Sequence, residues 1–400
     1  MNKSGDCKTL SNYIQEKHDE FISYNTLRRF FGVINSDIQP SSLTLDIISR
    51  FNGYKNYMHF SRLFKFNNKW KFQSDIYEII NITDSNLFIE KLENRINHSL
   101  DYVSIIVQVV RELILENRFD DVINVFSLKQ LDINNISYDE VINVANGVGT
   151  ILRKKKVEKN IFFKLLKVEN YRNLVFTVYV DYSYLNGYYL TELLCLKKIA
   201  IEEETEVFSK CLENLYLYLN LEKIKYKKII IKDNFHPILK SRIIAQELFI
   251  EHENIELVLE KYYQNITKSN LIIEHFYELI ITSMVTKNLD VMRFIIKKLN
   301  QSRGEIFLYQ LRHTQHYLLM KSIYFSSISD KNNYDKTIRN FNLLGVSESY
   351  KGFLKIFHII SMYNIENDND KYLIEYTHLS NQLRYPLFSI DYIKNYNSKN

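Results

Sequence analysis

The 400-residue chain is 46% hydrophobic and 14% aromatic, with only nine glycines and three prolines. It holds enough apolar matter for a large core, which excludes intrinsic disorder, and too few turn formers for a many-stranded fold or a Gly-lined nucleotide site. The net charge of +5 is unevenly placed: residues 1–71 hold 11 basic and six acidic residues, and the rest of the chain balances at 41 of each.

At this length two or three domains, or a repeat array, are expected. Residues 1–10 are polar and lack the apolar core of a signal peptide. The most apolar run, 102–115, is interrupted by Gln108, Arg111 and Glu112 and is too short to span a bilayer, so no membrane partner is expected. Cys7, Cys195 and Cys211 are odd in number and show neither CxxC nor His-partnered spacing. A reducing cytoplasm is the expected compartment.

The first predicted helix covers about residues 7–18, with Leu10, Tyr13 and Ile14 at i, i+3, i+4 spacing. Ser23 is a good N-cap for a short helix over 24–31 that stops at Gly32. Leu27, Phe30 and Phe31 form its apolar side, which leaves Tyr24, Asn25, Arg28 and Arg29 on or near the other. A polar loop, 33–39, leads to Pro40. Ser41 or Ser42 then caps a third helix holding Leu43, Leu45, Ile47, Ile48 and Phe51, ended by Gly53-Tyr54. A last helix of the head runs over about 56–64.

The run LSNYIQEKHDEFISYNTLRRFFG…PSSLTLDIISRFNGY resembles the Cro/repressor-type helix-turn-helix. It is similar also to the N-terminal segment of a group of uncharacterised bacterial proteins, with an "IS..TL.RFFG" helix followed by "PS..TLD.L..F.GY..W..F". Ile22-Ser23, Thr26-Leu27, Arg29-Phe30-Phe31-Gly32, Pro40-Ser41, Thr44-Leu45-Asp46 and Gly53-Tyr54 fill those places, with Tyr57 at the Trp position and Phe60 closing. The match covers about 15% of the chain. The resemblance implies that Ser23, Tyr24, Asn25 and Arg28 lie where base edges are met, Arg28 suiting guanine and Asn25 adenine. It implies phosphate contacts for Arg29, Lys17, Lys55 and the Ser41-Ser42 amides. Asp19 and Glu20, beside the turn, set negative charge against phosphate.

From Phe72 onward the pattern is helix after helix with short polar breaks. The predicted hairpins pair 99–117 with 120–131, 138–152 with 159–167, 171–185 with 188–199, and 203–219 with 222–232. Next come 238–251 with 255–265, 270–287 with 291–299, 305–326 with 334–343, and 350–364 with 370–383. Starts recur about every 32 to 45 residues, the period of tetratricopeptide-like arrays. The run LNGYYLTEL, from Leu185, resembles the turn and second helix of such a repeat, although the small residues that define that family are mostly missing. The expected fold is all-α: a helix-turn-helix-like head (1–66), a linker or irregular helices (67–98) and a divergent α-solenoid of antiparallel hairpins (99–395).

Chemistry-bearing constellations are sparse. His313 and His316 lie three apart on a predicted helix, but no Cys or acidic pair completes a metal set. Glu202-Glu203-Glu204 reads as a helix start, where negative charge suits the dipole. Gly147-Val148-Gly149 is a lone GxG inside an apolar helix, not a dinucleotide loop. Arg153-Lys154-Lys155-Lys156 reads as a solvated helix end. With no GxSxG, P-loop or HExxH, no catalytic residue, metal or cofactor is expected. The favoured reading is a bacterial regulator whose head binds double-stranded DNA and whose repeats receive a protein or peptide in a groove and mediate homodimerisation. The alternative is a non-enzymatic scaffold or adaptor whose head is only structural.

Overall fold

The computed structural model describes residues 4–36, 40–99, 101–224, 226–250, 254–266, 271–301, 310–366 and 369–397. Among them every regular element is helical, and no helix is long and apolar enough to cross a membrane. The chain forms two compact units, Met1–Lys91 and Leu92–Asn400.

The first unit opens with α1 (Ser4–His18), α2 (Tyr24–Phe30) and α3 (Ser42–Phe51). Their core is Cys7, Ile14, Ile22, Leu27 and Ile47, flanked by Leu10, Val33, Ile48 and Phe51. Local chemistry sets the ends. The Ser23 and Ser41 hydroxyls accept from the amides of Thr26 and Thr44. Gly32 and Gly53 take positive φ, and the Val33 amide reaches back to the Arg28 carbonyl at 2.8 Å. The expected apolar side of α2 is only partly right. Leu27 is fully buried, whereas Phe30 and Phe31 are 36% and 39% exposed and stack edge-to-face on each other. A seven-residue helix offers one residue to the centre of its contact with α1, and the next two flank it.

The segment expected as a linker or irregular helices holds two regular helices: α4 runs from Tyr57 to Ile80 and α5 from Ser85 to Asn97. The Asp46 carboxylate accepts from the Tyr57 amide at 2.8 Å, fixing the start of α4 on α3.

The second unit contains hairpins close to those predicted. They comprise α6 (Tyr102–Leu115) with α7 (Phe119–Phe126), α8 (Tyr138–Lys154) with α9 (Lys159–Lys167), and α15 (Ile272–Val285) with α16 (Leu289–Gln301). Later come α17 (Leu311–Ser327) with α18 (Lys331–Ile338) and α19 (Glu348–Tyr363) with α20 (Asn369–Leu383). The predicted starts at 270 and 305 lie outside the described residues. Tight turns at Asn117, Lys287, Ser329 and Arg384 use positive φ without glycine.

Two predictions fail. Residues 171–185 are not one helix: α10 (Glu169–Tyr171) runs into a π-helical turn, Arg172–Phe176, and a 3-10 turn, Tyr182–Tyr184, precedes α11 (Tyr188–Leu196). The buried carboxylate of Asp181 breaks the helix by accepting from the Tyr184 amide. The described residues of 222–232, after α12 (Glu203–Leu219), are irregular. Their β-branched Ile229-Ile230-Ile231 run disfavours helix, and Ile230 is 80% exposed.

The row of helices closes on itself. Helix α13 (Pro237–Ala245) packs on α12 and α15, α15 on α17, and α17 on α19; α19 then packs back on α8. Bonds across the closure join distant parts of the chain. Ser347 Oγ donates to Asn146 Oδ1 at 2.7 Å, Ser183 Oγ to the Ser349 carbonyl at 3.0 Å, and Tyr385 OH to the Tyr182 carbonyl at 2.6 Å.

Candidate functional site

The sequence-derived residues of the head fall on one short stretch of chain. Tyr24, Asn25 and Arg29 are exposed and Ser23 and Arg28 half-buried. Arg28 Nη1 donates to Asn25 Oδ1 at 3.2 Å, and the guanidinium stands 5.9 Å from the Tyr24 ring centroid. Lys17, Ser41, Ser42 and Lys55 are exposed too, although the Ser23 and Ser41 hydroxyls are already engaged as caps. Glu20 is not loose beside the turn: Arg50 grips it with Nε at 3.1 Å and Nη2 at 2.5 Å, which offsets its charge.

A second candidate, not foreseen from sequence, lies in the ring of the second unit: a cavity of ≈ 710 Å³. Each helix of the ring contributes to it, with Val141 and Asn146 from α8, Thr205 and Phe208 from α12, and Leu239 and Arg242 from α13. Tyr277 and Glu278 come from α15, Arg312, His313 and His316 from α17, and Tyr350 from α19. Asn173 and Thr177 reach it from the π-helical turn and the residue after it. A π turn costs backbone regularity and recurs at functional sites.

Arg242 is 4% exposed. Its Nη2 donates to Glu278 Oε1 at 2.6 Å, and its guanidinium lies 4.6 Å from the Phe208 ring centroid. Its Nε and Nη1 have no partner. The other Glu278 oxygen accepts from Tyr182 OH. On α17, His316 Nδ1 faces the Arg312 carbonyl at 3.0 Å, so Nδ1 carries the proton and Nε2 accepts from Tyr277 OH at 3.3 Å. Burial pushes His313 down to about 3 and His316 down to about 4, so both rings are neutral at pH 7. His313 Nδ1 has no partner. Among the described residues no group of three or more His, Cys, Asp or Glu is placed to hold a metal.

The remaining motifs have structural explanations. A Cβ on Gly147 would meet Val107 at 2.4 Å, and one on Gly149 the Tyr179 ring at 2.3 Å, so both glycines let neighbours approach α8. Arg153 donates to the Glu348 carbonyl and lies 4.3 Å from the Tyr184 ring centroid, while Lys155 caps the Leu115 carbonyl. Lys154 and Lys156 are exposed. Glu202 is the N-cap residue of α12 and pairs with Arg172; Glu203 pairs with Lys232, and Glu204 accepts from the His236 amide. Compared with known proteins, the chain matches no family model, no curated protein and no solved structure.

Proposed function

We propose that the chain is a bacterial DNA-binding regulatory protein of the cytoplasm. Its helix-turn-helix-like head reads duplex DNA, and its solenoid-like body senses a ligand or partner and brings copies together. The observation that carries this reading is the stretch Tyr24, Asn25, Arg28 and Arg29: polar, accessible, and borne on a helix fixed by Ser23 at one end and Gly32 at the other. It belongs to the segment that holds the whole positive excess of the chain. Asn25 and Arg28 supply the amide and guanidinium groups that recognise adenine and guanine edges, and Arg29, Lys17 and Lys55 supply charge for phosphates. No catalytic role forms part of the reading.

The test is binding of purified protein to random duplex DNA across a salt series, beside an Arg28→Ala/Arg29→Ala variant. The expected affinity falls steeply with salt, and the variant loses about one unit of the log–log salt slope through Arg29 and further affinity through Arg28. Absence of binding at low salt overturns the reading.

A scaffold or adaptor is the second reading, favoured by the apolar side chains that the head exposes. Phe21, Leu43 and Met58 are 67%, 64% and 63% exposed, more than a reader of phosphate and base edges needs.

A further inference from the structure

We propose that the cavity within the ring of the second unit binds one small organic monocarboxylate with an apolar body, its carboxylate meeting Arg242 and Arg312. The inference rests on the reading of the body as a sensor, not on that of the head as a DNA reader.

Three observations lead to this ligand class. The first is the state of the charged groups on the wall. The carboxylates are already served: Glu278 by Arg242 and Tyr182, Glu202 by Arg172, and Glu204 by the His236 amide. The cations are open. Arg242 keeps Nε and Nη1 unpaired although the residue is 4% exposed, and half-buried Arg312 makes no ion pair among the described residues. A buried donor left without an acceptor is unfavourable, so the site is set for an acceptor to arrive. Arginine is the usual receptor of a carboxylate, which its planar fork meets with two parallel hydrogen bonds.

The second observation is charge balance. With Arg172 counted beside its partner Glu202, three cations (Arg172, Arg242 and Arg312) stand against three carboxylates (Glu202, Glu204 and Glu278), so one incoming negative charge is tolerated better than two. A dianionic phosphate would enter under-compensated, in a place where burial magnifies the cost. The neutral rings of His313 and His316 add no further positive charge.

Third, the rest of the wall suits an apolar body. Phe208, Tyr277, Tyr350, Val141 and Leu239 surround the polar cluster, and ≈ 710 Å³ lies in the range of cavities that enclose one drug-sized molecule.

The test is calorimetric titration of the full chain with benzoate, 4-phenylbutyrate, indole-3-acetate and decanoate, each beside its primary amide, and with phenyl phosphate. At least one carboxylate is expected to bind at one site per chain, with its amide at least tenfold weaker. Arg242→Met/Glu278→Met removes both partners of the buried pair together and is expected to abolish binding, with helicity by circular dichroism reporting that the fold survives. Arg312→Gln, at a less buried position, is expected to weaken the carboxylate several-fold and leave the amide unchanged, and it serves should the double variant fail to fold. The proposal is overturned if no carboxylate binds below about 1 mM, if amides bind equally well, if phenyl phosphate binds more tightly, or if Arg312→Gln changes nothing. Repeating the titration on Arg28→Ala/Arg29→Ala protein separates the two readings. Carboxylate binding without any DNA binding by the native chain retires the regulator alone, and DNA binding without carboxylate binding retires the ligand alone.

Discussion

Glu192 sits 2% exposed in the second unit and accepts a hydrogen bond from Tyr171 OH at 2.6 Å. Burial pushes its carboxyl up to about 8, against a partial downward pull from Tyr171 and a further push from Asp181. A group whose folded pKa is raised stabilises the fold fully below its unfolded pKa, near 4.5, and loses that contribution as pH rises through the folded value. Glu192 should therefore withdraw on the order of 3 kcal/mol between pH 5 and pH 9, against the stability that His313 and His316, lowered by burial, return as pH rises towards 7, so the comparison of variant with wild type isolates it. Glu192→Gln keeps the acceptor for Tyr171 and cannot ionise. Urea unfolding should find it close to wild type at pH 5 and more stable at pH 9. An unchanged pH slope in the variant would show that Glu192 is ionised in the folded chain.

At the scale of elements, Arg172 is a clamp. It is 5% exposed, and its Nη1 donates to the carbonyls of Leu166 and Lys167 at 2.8 and 3.1 Å, at the end of α9; its Nη2 meets Glu202, the N-cap residue of α12. Arg172→Leu should cost about 2–3 kcal/mol, chiefly through the carbonyl bonds. Glu202→Gln should cost under about 1 kcal/mol because its carboxylate is half exposed. Denaturant melts of the two variants check this, and equal losses would place the energy in the ion pair instead.

The same elements mark what the sequence could and could not disclose. Hairpins such as 138–152 with 159–167 were legible because their apolar residues recur at helical spacing. The π turn was not, because Arg172–Phe176 has helical periodicity on paper, and its departure from the α-helix shows only in the backbone. The cavity escaped for another reason: each of its residues has an ordinary local explanation. Glu202 reads as a cap, and His313 and His316 as a chance spacing. The usable signal was a charge inside an apolar run, Glu278 within FYELII, since such a residue is rarely buried unless paired. Its partner Arg242 follows Lys240 and Ser241, so nothing local marked it as the buried cation.

For the second unit taken whole, closure separates it from an open array. Where repeats touch only their neighbours, stability is roughly a sum over repeats, and the last can be removed without losing the rest. Here α19 touches α8 as well as α17, and its Phe353, Leu354, Phe357 and Ile360 are fully buried. A chain ending at Ser347 should lose its sharp urea transition and bind a dye for exposed apolar surface, rather than unfold as a slightly shorter array. A transition as steep as that of the full chain would mean that the ring is held by its other contacts.

Closure also sets a clock on synthesis. Asn146 leaves the ribosome 201 residues before its partner Ser347; at 5–20 residues per second, that is an interval of roughly 10–40 s. For that time the side of α8 that meets α19 has no partner yet made, while its other side is packed on α6 and the π-helical turn. Over that stretch of translation the cavity lacks its Tyr350 wall, and it is complete only once α19 has been made.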